Sequence, residues 1–357
     1  MAQLTVGVDT HLDVHVAHAA DQLGRQLDTL QVPTTPAGYA QLLAWARRLG
    51  EPVAWGVEGT GCYGAGLARF LAAHHQTVLE VNRPDRQTRR RKGRSDPLDA
   101  AAAARAVQAG RASALPKAGN GQVEMIRSLR VAHQTAMRSR TQAINALRAL
   151  LVTAPAELRE QLRDRSAARL VRTAATLEPG PVTSPGEAAM LALGVLARRY
   201  QALSQELACL SKELDRLTRA AAPRLVASFG IGPDSAGALL VAAGDNPSRL
   251  RSDACFSMLC GSSPIPASSG KTTRHRLNRG GDRHANAALY RIVMVRLRYH
   301  KPTKDYMARR LAQGKTKKEV IRCLIGRVSL PRSAWSGSCS SAGVGGWPRC
   351  RAARRPA

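Results

Sequence analysis

The sequence is poor in acidic residues, in aromatic residues and in long apolar runs. Its 357 residues include 25 Asp and Glu against 54 Lys and Arg, a formal net charge of +29. No apolar run reaches the roughly 18 residues that a membrane-spanning helix needs, and the N-terminus MAQLTVGVDT has no basic and apolar leader. These absences predict a cytoplasmic protein that has no membrane partner.

Cysteine is sparse as well. The seven cysteines are an odd number, and none of them form pairs with the spacing of a structural zinc site. We therefore expect reduced thiols, with Cys255 and Cys260 of the apolar segment CFSMLC in a core.

The deficit of acids leaves a strongly basic surface that calls for a polyanionic partner. Nucleic acid is the leading candidate, because Lys and Arg that neutralise phosphates release condensed counterions. A binding site for small neutral molecules would not require this charge.

The first third of the chain has a mixed α/β pattern. Predicted strands lie at residues 4–9, 14–21, 26–33, 53–58 and 77–82, and predicted helices at 37–49 and 63–74. Three strands joined by tight turns and followed by two strand–helix alternations are typical of a ribonuclease H-like (RuvC-like) fold. We predict such a domain over residues 1–112.

The middle, residues 113–222, is predicted to be all-α, a long helical coiled-coil region. Apolar residues share one face of its first helix, with arginines on the other face: Ile126, Leu129, Ala136, Ile144, Leu147 and Leu151. A leucine seam with alternating spacings of three and four follows: Leu193, Leu196, Tyr200, Leu203, Leu207, Leu210, Leu214 and Leu217. The seam either packs on the first helix within one chain or joins two subunits.

Residues 223–328 are predicted to form a mainly helical C-terminal domain. Gly230, Gly232 and Pro233 precede a helix in the pattern of a helix-hairpin-helix turn, which can hold a phosphate, although a helical hairpin without a ligand has the same pattern. Residues 329–357 lose all periodicity, which predicts a disordered, atypical tail.

Four acids are candidates for a catalytic metal site. Asp9 and Glu58 end the first and fourth predicted strands, which are parallel neighbours in a ribonuclease H-like sheet. Asp96 and Asp99 are three residues apart on one helix face. Four carboxylates around one point repel one another unless divalent cations are bound, and oxygen ligands select Mg²⁺ or Mn²⁺. Two such ions can hold the attacking and leaving oxygens of a phosphodiester.

These acids also admit other interpretations. Ser95 and Asp96 before Pro97 are an ordinary helix start, and acids in a first turn complement the helix dipole. The segment GVDTH occurs in actin-like ATPases and sugar kinases too, but a second phosphate loop and an adenosine motif are missing. Packing or surface roles are expected for the histidines, whose spacing matches no metal site or triad: His11, His15, His18, His74 and His75.

The segment GSSPIPASSGKTTRHRLNRGGDRHAN, residues 261–286, contains a second candidate site. It is not a nucleotide P-loop, because Ile265 stands where that motif needs glycine. Ser268 and Ser269 remain, on a Gly/Pro-framed loop among cations. Such a serine can attack a DNA phosphate, but a basic serine loop can also simply contact the backbone.

Basic residues flank both sites and are predicted to bind nucleic acid. They are Arg89, Arg90, Arg91, Lys92 and Arg94 before the acids, and Lys271, Arg274, Arg276, Arg279 and Arg283 around the serines.

Taken in order, GVDTH, GVEGTGCYG, RKGRSDPLDA, GIGPDSAG and PASSGKTTRHRLNRGGDRHAN resemble the DEDD transposases of insertion sequence family 110, over about residues 4–326. The resemblance implies a RuvC-like domain whose catalytic acids match Asp9, Glu58, Asp96 and Asp99. It also implies a C-terminal transposase domain whose nucleophile matches Ser269, with Ser268 as the alternative. The sequence departs from the family pattern after about Ile325.

The resemblance further implies metal-dependent cleavage and transfer of DNA strands through a covalent serine–DNA link. A structured bridge RNA would pair with donor and target DNA, and homodimers or tetramers would combine the acids of one subunit with the serine of another. Such a protein works at the nucleoid of a prokaryote. A RuvC-type junction endonuclease, which would not need the serine, and a catalytically dead nucleic-acid-binding remnant are the alternatives.

Overall fold

The structure, a computed structural model, describes residues 2–82, 95–163, 166–246, 250, 252–270 and 275–328. The predicted tail at 329–357 lies outside the described residues. The described part of the chain is mixed α/β, with one five-stranded sheet and many helices.

The N-terminal strands form one sheet, and all five predicted strands are confirmed. They are β1 (Gln3–Thr10), β2 (Val14–Asp21), β3 (Gln26–Pro33), β4 (Glu51–Glu58) and β5 (Val78–Val81). The order is β3-β2-β1-β4-β5, with β1–β2 and β2–β3 antiparallel and β1–β4 and β4–β5 parallel. The predicted parallel pairing of the first and fourth strands is therefore confirmed.

Helices cover both faces of this sheet. Their bounds are α1 (Pro36–Leu49), α2 (Ala65–Ala73) and α3 (Asp96–Gln108). Leu4, Val6 and Val8, which alternate along β1, pack with residues of α1 and α2 in one buried core. The residues between them on β1 face α3, because successive side chains of a strand point to opposite sides.

Two long helices dominate the middle of the chain. The elements here are α4 (Gln122–Thr153), α5 (Ala156–Leu162), α6 (Ala167–Ala175) and α7 (Pro185–Ala221). The hydroxyl of Ser184 accepts from the N–H of Glu187, and the Glu187 carboxylate accepts from the N–H of Thr183, so a capping box fixes the start of α7.

The leucine seam of α7 packs against α4 within one chain. Leu147 and Leu193 share a core at one end of the pair, and Ile126 and Leu217 share another core at the other end, so the two helices are antiparallel. Packing of the seam on the first helix of the same chain, one of the two predicted roles, is therefore present in the structure.

One arginine departs from the predicted pattern of α4. Arg130 lies on the buried face, and its Nη1 donates to the carbonyl oxygen and the carboxylate of Asp234 at 2.6 and 2.7 Å. The expectation that all arginines of α4 face outward is therefore wrong at Arg130. Its charge is compensated by a partner that lies 104 residues away in sequence.

The C-terminal elements pack around a core that also includes the ends of α4 and α7. They are α8 (Pro223–Ala227), α9 (Pro233–Ala243), α10 (Asp253–Leu259), β6 (Ile265–Pro266), β7 (His275–Arg276), α11 (Arg283–Tyr299), α12 (Lys301–Ala312) and α13 (Lys317–Val328). The predicted helix start at Pro233 is confirmed, after a turn in which Gly230 has a φ of +79°. Cys260 is buried as expected, whereas Cys255 is exposed, because it lies on the outer side of α10.

Each described helix falls short of the length and apolar character that a membrane crossing requires.

Candidate metal centre and serine hairpin

The ends of β1 and β4 bring Asp9 and Glu58 together. The parallel register pairs Val8 with Val57, so Asp9 and Glu58 are the next residues on adjacent strands. Both are buried, with 6% and 7% of their surface exposed. The hydroxyl of Thr10 donates to the carbonyl oxygen of Glu58 at 2.9 Å and ties the two strand ends together.

Helix α3 lies unusually close to the sheet because glycines face it. A Cβ at Gly7 would overlap backbone atoms of Ala100 and Ala104, and a Cβ at Gly56 would lie 2.9 Å from the carbonyl oxygen of Ala103. Glycines on the strands and alanines on the helix therefore allow α3 to pack closely against the sheet. The alanine-rich sequence of α3 has a structural cause in this contact.

The first turn of α3 carries Asp96 and Asp99 to the same edge of the sheet. The predicted helix start is confirmed, with Ser95 extended and Pro97 in the first turn. The Ser95 side chain makes no capping hydrogen bond within the described part of the chain. The Ser95 side chain therefore does not stabilise the start of α3 by capping.

His11 joins the acids of the two elements. Its Nε2 lies 3.1 Å from Oδ2 of Asp9 and 3.3 Å from Oδ1 of Asp96. One ligand atom from each of these three residues lies within 4.8 Å of the other two, a spacing that could hold a metal ion. His11 is a partly exposed surface residue, as expected, and it also contacts two of the predicted acids. The contact between His11 and Asp9 could have been predicted from the sequence, because residues two apart in an extended chain point to the same side.

Burial and neighbouring charges act on the pKa of Asp9. Burial raises the pKa of Asp9 above its ordinary value of 3.8, His11 lowers that pKa, and the charges of Glu58, Asp99 and Asp96 raise it. The charges of the other acids therefore act on Asp9 in the opposite direction to His11. A divalent cation fits such a site, because carboxylate oxygens and an imidazole are both established metal ligands.

The serines lie on a separate element, a short β-hairpin. Its strands β6 and β7 are antiparallel, with Ile265 opposite Arg276 and Pro266 opposite His275. Ser268 and Ser269 are exposed between the strands. The sequence predicted a loop here, and strands of two residues are too short to leave a periodic pattern.

The base of this hairpin is fixed by glycine contacts and by hydrogen bonds to α10. A Cβ at Gly281 would overlap the backbone of Gly261, so the two chain segments touch there. The side-chain amide of Asn278 donates to the carbonyl oxygen of Met258 at 3.3 Å. The N–H of Asp282 donates to the carbonyl oxygen of Leu259 at 2.7 Å. We name residues 261–281 the serine hairpin.

The predicted nucleic-acid-binding residues fall into two groups. Arg276, Arg279 and Arg283 are exposed on the serine hairpin and at the start of α11. The others lie outside the described residues: Arg89, Arg90, Arg91, Lys92, Arg94, Lys271 and Arg274. The structure thus groups Asp9 and Asp96 with His11. Glu58 lies at the end of the neighbouring strand and Asp99 three residues further along α3, outside that group, and the two serines lie on the serine hairpin.

Comparison with protein families identifies the class of enzyme. A family model described as a DEDD transposase matches residues 6–154, which include all four acids. A second model, described as transposase of the IS116/IS110/IS902 family, matches residues 222–308, which include the serine hairpin. The protein is a transposase, an enzyme that acts on DNA. More specifically, it belongs to the IS110 family of transposases.

The DEDD designation of the first model indicates dependence on a divalent metal, in agreement with the Asp–His–Asp group. None of the curated proteins compared with the chain matches it.

Proposed function

We propose that this transposase cleaves and transfers DNA strands through two sites, a divalent-metal site on the sheet and a nucleophilic serine on the hairpin. Asp9, Glu58, Asp96 and Asp99 are the proposed ligands for Mg²⁺ or Mn²⁺. The observation that carries the proposal is the meeting of Asp9, His11 and Asp96, whose ligand atoms lie within 4.8 Å of one another at the edge of the sheet. The strand order β3-β2-β1-β4-β5 supports a ribonuclease H-like fold for this part of the chain.

In this proposal Asp9, Glu58 and Asp96 have different positioning tasks. Asp9 and Glu58 are buried and fixed by the sheet, so they define where a cation and a DNA phosphate meet. Asp96 is 47% exposed in its side chain and lies at the outer side of the site, where a DNA strand can approach. A bound divalent ion would stabilise negative charge on the phosphodiester oxygens.

The serine supplies the covalent step. The Oγ of Ser269, or of Ser268 as the alternative, loses its proton and bonds to the phosphorus of a DNA phosphodiester. The bond from phosphorus to one sugar oxygen breaks, and that oxygen takes up a proton. A sugar hydroxyl of the second DNA then attacks the same phosphorus and releases the serine. The number of phosphodiester bonds is conserved, so the transfer needs no nucleotide cofactor.

The cations near the serines support this step. Arg279 and Arg283 flank the glycine base of the hairpin and are exposed, so they can contact the DNA backbone. During strand transfer the phosphate group carries additional negative charge in the transition state. Arginines nearby stabilise that transition state more than the ground state.

The guide, the assembly and the domain division belong to the same proposal. The family resemblance is the support for a structured bridge RNA that pairs with donor and target DNA. The separation of acids and serines on different elements supports a homodimer or tetramer with composite sites. We divide the chain at residues 1–112, 113–222, 223–328 and 329–357, as the sequence predicts.

The proposal is tested with full-length protein, labelled donor and target DNA, RNA transcribed from the DNA flanking the gene, and Mg²⁺ or Mn²⁺. The wild type is expected to form a denaturant-resistant protein–DNA species and recombined strands. Ser269→Ala removes both products if Ser269 is the nucleophile, and Ser268→Ala does so if Ser268 is. Asp9→Asn lowers strand cleavage by on the order of 10²-fold or more.

Each part of the proposal can fail separately. If both serine variants continue to cut, the acids hydrolyse DNA alone, as a junction endonuclease does. If Asp9→Asn leaves cleavage unchanged, the metal site is refuted. If products form equally well without the RNA, the guide is refuted.

A further inference from the structure

A concave site lies between the last three described helices, apart from the acids and the serines. It is a cavity of about 410 Å³ between α11, α12 and α13. Its lining includes Arg296, His300, Tyr306, Arg309 and Arg327. This volume is within the range of roughly 300–1,000 Å³ that is usual for small-molecule sites.

Guanidinium groups surround one aromatic ring in this cavity. The Cζ of Arg327 lies 4.6 Å from the centre of the Tyr306 ring, and that of Arg309 lies 5.4 Å from it. The Cζ of a third arginine, Arg310, lies 6.0 Å from the same ring. Arg309 and Arg327 also line the cavity, so an anion that enters it is attracted by both of their charges.

The charge of the cavity is not balanced by acids. Asp305, which also lines it, pairs with Lys301 at 3.2 Å. Among the described residues, no carboxylate lies within 4.0 Å of the guanidinium of Arg296, Arg309 or Arg327.

Arg296 is the most confined of these cations. Its Nε donates to the carbonyl oxygen of Phe229 at 2.8 Å, and burial lowers its pKa below the ordinary value. A half-buried guanidinium with a neutral partner has lost hydration without gaining a counter-charge. The cavity therefore favours a ligand that brings negative charge.

The shape of the cavity restricts which anion it takes. The backbone of a duplex runs along a protein surface, and its bases remain stacked inside. An unpaired nucleotide can instead leave the helix and enter a pocket, where aromatic rings and guanidinium planes stack on the base and arginines bind the phosphate. The cavity offers the guanidinium planes of Arg309 and Arg327, which Tyr306 holds, for stacking on the base and for binding the phosphate.

We propose that the cavity between α11, α12 and α13 binds one unpaired nucleotide of the DNA on which this transposase acts. The binding requires neither the metal site nor the serine, so it is independent of the proposed chemistry. It gives the enzyme a means to prefer distorted or partly unpaired DNA over a continuous duplex.

The test measures binding in the presence of a chelator, which prevents metal-dependent cleavage. The probe is a short DNA duplex with one unpaired 2-aminopurine, and the reference is the same duplex fully paired. Full-length wild type is expected to bind the bulged DNA about tenfold or more tightly, as stacking of one base allows. The fluorescence of 2-aminopurine reports directly whether the base changes its surroundings on binding.

Variants assign this preference to the cavity. Arg327→Gln and Tyr306→Leu are expected to lose the preference for the bulge. Arg322→Gln is the matched control, because Arg322 is exposed on the same helix as Arg327 and does not line the cavity. The control is expected to weaken binding of both DNAs equally. Should Tyr306→Leu unfold, as thermal unfolding would show, Arg327→Gln decides the test.

Three results would overturn the proposal. One is equal affinity of the wild type for the bulged and the paired DNA. Another is an equal effect of Arg327→Gln and Arg322→Gln on the two probes. The third is a stronger preference for a bulged RNA of the same sequence, which would assign the cavity to RNA instead of DNA.

Discussion

The acid cluster and the serine hairpin are built in opposite ways. Asp9 and Glu58 are buried at the ends of the two central parallel strands, under a helix that packs against glycines. Ser268 and Ser269 are exposed between strands of two residues each.

Under the proposed function, the difference follows from the task of each site. Carboxylates that share a metal ion repel one another before the ion binds. A rigid sheet must therefore hold them together, and this lowers the stability of the metal-free fold. In that proposal a serine that bonds to DNA has to reach a strand held on another surface, so an exposed hairpin with a fixed base suits it. The comparison predicts that changes at the two sites have different effects on stability.

The largest effect is expected from Gly7→Ala. The added Cβ would overlap the backbone of Ala100 and Ala104, so α3 has to move away from β1. Overpacking of this kind costs about 1–3 kcal/mol, and we expect the upper end because backbone atoms cannot rotate away. Urea unfolding measures the cost.

Gly61→Ala is the matched control for this change. A Cβ at Gly61 would contact nothing within 4 Å, so its free energy of unfolding should stay within about 0.5 kcal/mol of the wild type. Equal stability of the two variants would mean that α3 does not depend on Gly7 for its position.

The next effect concerns divalent metal. If the acids bind Mg²⁺ or Mn²⁺, the ion stabilises the folded protein by about 2.7 kcal/mol when its concentration is a hundred times its Kd. Asp9→Asn removes one ligand and also the repulsion, so this variant should gain little from metal and should be no less stable than the wild type without it. Thermal unfolding with and without Mn²⁺ tests both points. Equal metal stabilisation of the variant would contradict a site at Asp9.

A smaller effect is expected from Gly281→Ala at the base of the serine hairpin. Its Cβ would overlap the backbone of Gly261, but the hairpin can shift without disturbing the sheet. We expect a cost of about 1 kcal/mol. Faster tryptic cleavage after the exposed Arg279 would report the displaced hairpin. Gly280→Ala, whose Cβ would make an ordinary contact at 3.4 Å, should be cleaved as slowly as the wild type.

The sequence predicts the acid cluster better than the serine hairpin, for a physical reason. Alternation along a strand fixes which residues share a face, so Asp9 and Glu58 could be placed at one edge from β1 and β4 alone. Likewise, Ser95, Asp96 and Pro97 are sufficient to predict the start of α3. The serine hairpin has two-residue strands, which contain no alternation that could be detected.

Other features depend on contacts that a linear pattern does not contain. The position of His11 between Asp9 and Asp96 requires α3 to lie against β1. The partner of the leucine seam is undetermined in the sequence, because an apolar stripe specifies burial without saying which helix covers it. Similarly, Arg130 belongs to the polar pattern of α4 and is nevertheless buried against Asp234.

The smallest effect is the pH dependence of the metal-free protein. The pKa of Asp9 is raised in the folded state, chiefly by burial, so its contribution to stability is present below pH 3.8 and is lost as the pH rises through the raised value. Asn resembles the neutral acid at every pH. The Tm of Asp9→Asn minus that of the wild type should therefore increase over this window and then stay constant.

Asp28 on β3 is a control of opposite sign. The indole N–H of Trp45 donates to its carboxylate at 2.8 Å and holds its pKa below the ordinary value. Its contribution is therefore present above that value and is lost as the pH falls, so Asp28→Asn should become destabilising as the pH rises. The two Tm differences should therefore diverge with pH. If the two Tm differences instead changed in parallel with pH, neither would reflect the titration of the substituted carboxylate. The repulsion inferred at the acid cluster would then have no measurable effect on folding.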